Sequence, residues 1–151
     1  MTERWWIVLA GVSGALAVAL AAYGSHGLEG DAVLKGQFAT ANRFHMWHTL
    51  ALIGAALVRD RAGTRAGPWA AGAAALFTLG ILLFSGALYG ATALGLWSLT
   101  FLAPWGGFAL MAGWLALAVA GFRARPLPAR RTTRHPPALW AADGRNDGPE
   151  P

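Results

Sequence analysis

The feature that constrains this chain most is a run of 57 residues, 66–122, that contains no Asp, Glu, Lys or Arg. Stretches 5–28 and 44–58 are also free of charge. About 20 apolar residues cross a hydrocarbon core of ~30 Å, so the long run suits two crossings. The chain is 56% hydrophobic and 13% charged, whereas a typical soluble domain is roughly 25% charged. A soluble protein of 151 residues would have too much surface for so few charges. The sequence therefore predicts an integral membrane protein.

The apolar stretches predict four transmembrane helices at about 5–24, 37–58, 68–91 and 101–122. We expect them to form an all-α, integral membrane four-helix bundle within a domain spanning 1–122. Small residues recur four apart, as at Ala10 and Gly14, which lets neighbouring helices approach closely in lipid. A cleaved signal peptide is the rival interpretation of the first helix, but its apolar stretch is longer than a usual signal core.

The second predicted helix is the polar one. Its charge-free part, 44–58, has 15 residues, which is about 22 Å at 1.5 Å per residue and too short to cross a membrane. The helix must therefore begin earlier and include Arg43, close to a membrane surface where the side chain can reach water.

The last segment, 123–151, has a different composition. Six of the eight prolines and six of the eleven arginines lie in it. Such a segment cannot bury an apolar core, so we expect a disordered, basic C-terminal tail.

The arginines also predict the orientation. With four crossings, the N-terminus, the loop after the second helix and the tail share one side, and that side carries almost all the positive charge. The positive-inside rule places both termini in the cytoplasm of a bacterial inner membrane.

The net charge of +5 does not indicate nucleic acid binding, because five of the twelve basic residues lie in 123–134, beside the last apolar segment. The chain has no cysteine, which excludes disulfides and thiolate metal sites. Motifs of hydrolases, phosphate loops and zinc proteases are missing from the sequence. We therefore expect no enzyme, no cofactor and no metal site. The expected partners are the lipid bilayer and a second copy of the chain or other membrane proteins.

A polar stripe runs along the second helix. At 100° per residue, an arc of about 140° collects Gln37, Asn42, His45, His48, Thr49 and Arg59. Lipid cannot satisfy such a stripe, so it should face the interior. The ends of the first and third helices and the start of the second lie on the outer side. We therefore expect one polar cluster there, composed of His26, His45, His48, Ser85 and Tyr89.

Four motifs occur in order: AAYGSHGL (21–28), FATANRFHMWHTLAL (38–52), LFSGALY (83–89) and LAPWGGFALMAGW (102–114). In these motifs the chain resembles the YgdD-type family of small inner-membrane proteins, domain-of-unknown-function 423, which is related to the eukaryotic transmembrane protein 256. The resemblance covers roughly 8–120 and implies a four-helix inner-membrane protein.

The resemblance also implies which residues belong to the family's motifs. His45 and the pair Asn42-Arg43 depart from the family pattern. The residues that carry over are His26, Phe38, Ala41, His48, Ser85, Leu88 and Tyr89, together with the helix-packing and motif residues Gly24, Gly27, Gly86, Pro104, Gly106, Gly107 and Trp114.

Three interpretations of the polar cluster remain open from the sequence. The first is a small polytopic inner-membrane protein of unknown molecular activity. It would be a non-enzymatic structural or interaction protein in which the histidines form hydrogen bonds to neighbouring helices. The second is a transporter or channel component for protons or small solutes that uses His26 and His48. The third is a protein that binds lipid, metal or haem. We expect His48→Ala to impair function more than His45→Ala.

Overall fold

The computed structural model describes residues 3–61 and 63–124, and the elements in these ranges are all helical. The chain forms α1 (Glu3–His26), α2 (Ala32–Arg61), α3 (Gly63–Gly80), a π-helical turn (Ile81–Ser85), α4 (Gly86–Leu94), a 3₁₀ helix (Trp97–Leu102) and α5 (Ala103–Arg123). Because α3, the π turn and α4 run on without a break, they make one long helix. The described residues thus hold four long helices, the number that the sequence predicts. Residues 125–151 of the predicted tail lie outside the described residues.

Local signals set the helix ends between these segments. The Oδ1 atom of Asp31 accepts the backbone N–H of Leu34 at 2.8 Å, which is a side-chain N-cap. This cap lets α2 begin at Ala32. Gly95 has φ +70° and ends α4, a left-handed conformation that glycine adopts without steric cost.

Three of the long helical segments are apolar and long enough to cross a membrane. These are Arg4–His26, Arg65–Leu94 and Trp97–Arg123. Helix α2 has 30 residues but does not belong to this set, because charged and polar side chains lower its mean hydropathy. This is the helix in which the sequence places the polar stripe.

Helices α2 and α3 occupy the middle of the fold. Helix α1 packs along α2, α2 packs on α3, α4 and the π turn, and α3 packs along α5. Most residues at the centre are small or aliphatic, as expected where helices approach closely in lipid. The buried core consists of Trp6, Ala10, Ala51, Leu52, Ala55, Ala56, Ala73, Ala74, Phe77 and Leu110.

Glycines allow α3 and α5 to come close to one another. A Cβ on Gly113 would lie 2.7 Å from the ring of Phe77, and a Cβ on Gly80 would overlap the side chain of Leu110. At Gly106 the neighbour is backbone, because an added Cβ would overlap the nitrogen of Phe84. Helix α5 therefore lies against the main chain of the π turn.

Candidate functional site

His48 joins α2 to α5 and uses both of its ring nitrogens. Its Nδ1 lies 2.7 Å from the carbonyl oxygen of Phe44, and its Nε2 lies 3.2 Å from Nε1 of Trp114. A carbonyl only accepts and an indole N–H only donates. The hydrogen of His48 is therefore on Nδ1, the ring is neutral, and Nε2 accepts from Trp114. A metal ion or a second proton at this ring would have to break one of the two bonds.

His45 lies one turn earlier and faces α1 and α4. Its Nε2 is 3.0 Å from Oγ of Ser13, and its Nδ1 is 3.4 Å from the hydroxyl of Tyr89. The Oγ of Ser13 is also 2.7 Å from Oγ1 of Thr49. His45 is 3% exposed, and its half-buried partners Ser13 and Tyr89 connect it to α1 and α4.

Asn42 extends the same cluster by another turn. Its Nδ2 donates to the carbonyl oxygen of Ala17 at 2.7 Å and to the hydroxyl of Tyr89 at 3.2 Å. Because Tyr89 accepts from Asn42, its own hydrogen is available for Nδ1 of His45. His45 then donates from Nε2 to Ser13. With the hydrogens placed in this way, the hydrogen bonds of the cluster are consistent with a neutral imidazole at His45.

Both histidine contacts lie near the middle of the helices they join. Ser13 is the eleventh of the 24 residues of α1, and Trp114 is the twelfth of the 21 residues of α5. Groups at such positions are far from either helix end, where water could substitute for a lost bond. These hydrogen bonds therefore lie midway along the helices and not at their ends.

A groove adjoins the His45 cluster, between α1 and the π turn, with α2 at its base. It encloses about 210 Å³. Its walls are mainly aliphatic, and its polar lining comes from Ser13, His45, Thr78, Ser85 and Tyr89. The groove has an apolar rim that includes exposed Val12 and Leu82.

The residues predicted to form one polar cluster lie in three places. His45 and Tyr89 are in contact, and Ser85 lines the same groove. His48 is on the same helix but turns towards α5. His26 is the last residue of α1 and is exposed, so the described contacts of the histidine clusters do not include it.

Two of the motif residues place helices close together. A Cβ on Gly24 would lie 2.7 Å from the ring of Phe38, which in turn packs 4.9 Å from the ring of Tyr89. Gly106 meets the backbone of the π turn, whereas its neighbour Gly107 has nothing within 4 Å.

The remaining motif residues have more local positions. A Cβ on Gly27, which directly follows α1, would lie 2.9 Å from the ring of Tyr23 at the end of that helix, and Gly86 has only Ile81 O at 4.0 Å. Pro104 lies in the first turn of α5, where a missing N–H costs nothing.

Sequence reasoning missed Ser13, although a signal was present. It is the polar residue within the apolar run WWIVLAGVSGALAVALAAYG of the first helix. A hydroxyl at that depth needs a bonding partner, and the polar stripe of α2 offers one. The described residues contain no group of three or more His, Cys, Asp or Glu side chains that could hold a metal ion.

The chain is similar to several proteins known by sequence. The model of a family described as "Protein of unknown function (DUF423)" matches residues 20–107. The UPF0382 inner membrane protein YgdD of Escherichia coli K12 is 36% identical over 127 residues, covering 82% of this chain and 93% of that protein. The UPF0382 membrane protein YwdK of Bacillus subtilis is 35% identical over 121 residues, covering 78% and 96%. A UPF0382 membrane protein of Haemophilus influenzae is 31% identical over 126 residues, covering 81% and 97%. No solved structure matches the chain.

Proposed function

We propose that this chain, which belongs to the DUF423 family of membrane proteins, is a non-enzymatic structural or interaction protein of the inner membrane. In this proposal its four long helices form a bundle that crosses the bilayer four times. The two histidine clusters fix how the helices are rotated and shifted against one another.

The observation that carries this proposal is the bonding of His48. Both nitrogens of its ring are engaged, by Phe44 of its own helix and by Trp114, 66 positions away. A histidine that binds a metal or relays a proton needs a nitrogen that can take part in the exchange. A histidine with both nitrogens satisfied by protein groups holds helices together instead.

The same bonding supports α2 as the fourth crossing. Three of its polar side chains, His45, His48 and Thr49, are buried, while Trp47 and Leu50 are 61% and 59% exposed. A helix with internally bonded polar groups and an apolar outer surface satisfies the requirement of the bilayer. Part of its low mean hydropathy therefore comes from buried polar side chains that lipid does not contact.

The arrangement of arginines supports cytoplasmic termini. The start of α1, the end of α2, the start of α3 and the end of α5 carry Arg4, Arg59, Arg65 and Arg123. The guanidinium of Arg123 lies 5.0 Å from the ring centroid of Trp69, near the start of α3. The basic residues therefore collect at one end of the fold, which the positive-inside rule assigns to the cytoplasm.

The outer surfaces of α1 and α5 suit the bilayer or another membrane protein. Val18, Phe108, Met111 and Leu115 are all more than half exposed. Lipid chains cover such side chains, and so does a partner helix. The proposed partners are therefore the bilayer, a second copy of the chain or other membrane proteins.

The experiment that tests the structural role compares His48→Ala with His26→Ala in protein purified in mild detergent. We expect His48→Ala to lower the unfolding temperature, because Trp114 and Phe44 lose their buried partner, and His26→Ala to leave it unchanged. Mass and absorption spectra of the same samples report any bound compound. A metal or haem that disappears from His48→Ala, with the unfolding temperature kept, would overturn the proposal.

A further inference from the structure

A recess with two positive charges lies between α1 and the first half of α2. Its volume is about 400 Å³, within the range of roughly 300–1,000 Å³ that ligand sites have. The α1 wall consists of the small residues Ala21, Gly24 and Ser25. Helix α2 supplies both charged side chains, Lys35 and Arg43. The recess is separate from the groove beside the π turn and from the contacts of His48.

The charged wall of the recess is a ridge on α2. Lys35, Ala39, Arg43 and Trp47 follow one another at a spacing of four, and all four are exposed and line the recess. Residues at this spacing stack along one side of a helix. Ala39 is the short side chain between the two cations, each about 6 Å away along the axis. Long basic side chains can cover that distance, so Lys35 and Arg43 can both reach a group that rests on Ala39.

Arg43 lies deep for a charged residue on a helix that crosses a membrane. The 30 residues of α2 extend about 45 Å, the thickness of a bilayer with its headgroups. Lys35 is the fourth of them and lies about 5 Å from the start of the helix, among the headgroups. Arg43 is the twelfth and lies about 16 Å from the start, below the edge of the hydrocarbon. An exposed charge at that depth is costly and marks a functional site by default. Because Cα–Cβ bonds tilt towards the N-terminus of a helix, that of Arg43 is tilted towards Lys35.

The recess offers positive charge without a carboxylate to neutralise it. Its lining contains no Asp or Glu. The acidic residues nearest in sequence, Glu29 and Asp31, lie in the turn before α2, where Asp31 caps the helix by accepting the N–H of Leu34. Basic pockets at the headgroup level suit anionic phospholipids. A zwitterionic lipid suits this one less well, because its own amine would lie beside Lys35.

We propose that the recess binds one anionic phospholipid, whose phosphate rests on Ala39 and accepts hydrogen bonds from Arg43 and Lys35. A guanidinium offers two parallel N–H donors to the oxygens of one phosphate. Trp47, which is 61% exposed, lies one turn deeper and packs beside the upper part of an acyl chain. The site rests on the proposed crossing of the bilayer by α2 and holds for either direction of that crossing.

The test uses full-length protein in mild detergent and native mass spectrometry, which resolves bound lipids and measures their affinity. The probes are dioleoyl phosphatidylglycerol, dioleoyl phosphatidylcholine and glycerol phosphate, which has the phosphate but no chains. We expect phosphatidylglycerol to bind about fivefold more tightly than phosphatidylcholine, the effect of one net charge at a basic lipid site. Glycerol phosphate should not bind, because it lacks the chains that place the phosphate in the recess.

Two variants remove the charges one at a time. Arg43→Gln and Lys35→Gln should each weaken the binding of phosphatidylglycerol about fivefold, the contribution of one basic residue beside an anionic lipid. Both side chains are exposed, so the unfolding temperature without added lipid should stay unchanged. Arg65→Gln, at an exposed arginine of α3 outside the recess, is the matched control and should bind as the wild type does.

A third variant fills the recess and keeps every charge. Ala39→Leu places bulk where the phosphate would rest and should weaken the binding of phosphatidylglycerol. Ala22→Leu, at an exposed alanine of α1 outside the recess, should not. This pair keeps the test decisive if a charge variant fails to fold.

Four results would overturn the proposal. Equal binding of the two lipids would mean that the charge of the headgroup is not recognised. Equal binding of glycerol phosphate would make the recess a site for free phosphate. Wild-type binding of phosphatidylglycerol by Arg43→Gln or by Ala39→Leu would mean that the lipid lies elsewhere. An equal loss in Arg65→Gln would mean that charge acts only by general attraction. Each result concerns the recess alone, whereas the structural role of the histidines depends on the stability of His48→Ala.

Discussion

The indole N–H of Trp114 on α5 donates to Nε2 of His48 on α2 across 3.2 Å. The rings meet edge to face, with centroids 6.1 Å apart, and Phe77 packs against both. This contact joins two helices that otherwise touch little, since α5 packs mainly on α3. It also fixes the neutral form of the imidazole, because an indole cannot accept a hydrogen bond.

Trp114→Phe should therefore reduce stability although it retains an aromatic ring against Phe77. The change removes the donor and leaves Nε2 of His48 without a partner. Hydrogen bonds between membrane helices contribute about 0.6 kcal/mol on average and up to ~1.7 kcal/mol, and we expect a loss of free energy of unfolding in this range. The measurement is denaturant unfolding in mild detergent. Trp47→Phe on α2, where the ring is 61% exposed, is the matched control. Equal losses in the two variants would contradict a role for the bond.

The sequence predicts the helical architecture better than the contacts between helices. Charge-free length indicates four helices, and helical periodicity places His45, His48 and Thr49 on one face of α2. It does not say which neighbour each residue meets, because that depends on how α1 and α5 are rotated. His48 and His45 are one turn apart, yet the first bonds α5 and the second bonds α1 and α4.

The π turn beside the groove could not be predicted from the sequence. The π turn has the sequence ILLFS, which has the composition of any membrane helix and contains no proline or glycine. A π-helical turn has one residue more than an α-helical turn, and this difference can be recognised only from the backbone hydrogen bonds. His45 and Asn42 depart from the family pattern, so the resemblance gave them no role. They nevertheless provide the bonds that connect α2 to α1 and to Tyr89.

Adjacent glycines in α5 should respond oppositely to alanine. A methyl on Gly106 would overlap the backbone nitrogen of Phe84, while one on Gly107 would have nothing within 4 Å. Backbone cannot move aside as a side chain can, so we expect Gly106→Ala to cost about 1–3 kcal/mol, as overpacking does. Gly107→Ala should stabilise the helix by roughly 0.5–1 kcal/mol, since alanine has less backbone freedom to lose. Unfolding temperatures of both variants in one detergent check this prediction. A stable Gly106→Ala protein would mean that α5 lies farther from the π turn.

Ser13→Ala should loosen α1 more than Ser25→Ala does. Ser13 bonds His45 and Thr49 of α2, whereas Ser25 donates only to the carbonyl of Ala21 within its own helix. Two interhelical bonds at ~0.6 kcal/mol each amount to roughly 1 kcal/mol, and the exposed serine should contribute little. Amide hydrogen exchange along α1 measures local opening. We expect faster exchange in Ser13→Ala and wild-type rates in Ser25→Ala. Similar rates in both would indicate that apolar packing alone holds α1 on α2.

The proposed orientation predicts which engineered thiols are reached from outside the cell. The natural chain has no cysteine, so a single introduced thiol is the only one to react. Glu29 lies exposed in the turn after α1, and Asp60 lies exposed near the end of α2, beside the arginines. With cytoplasmic termini, a membrane-impermeant maleimide should label Glu29→Cys in spheroplasts and label Asp60→Cys only after the membrane is opened. The positive-inside rule gives this direction because the arginines cluster at the end that contains Asp60.

Labelling of Asp60→Cys alone in closed cells would show that the orientation is the reverse of the proposed one. Labelling of both would show that α2 does not cross the bilayer, since its two ends would then lie on the same side.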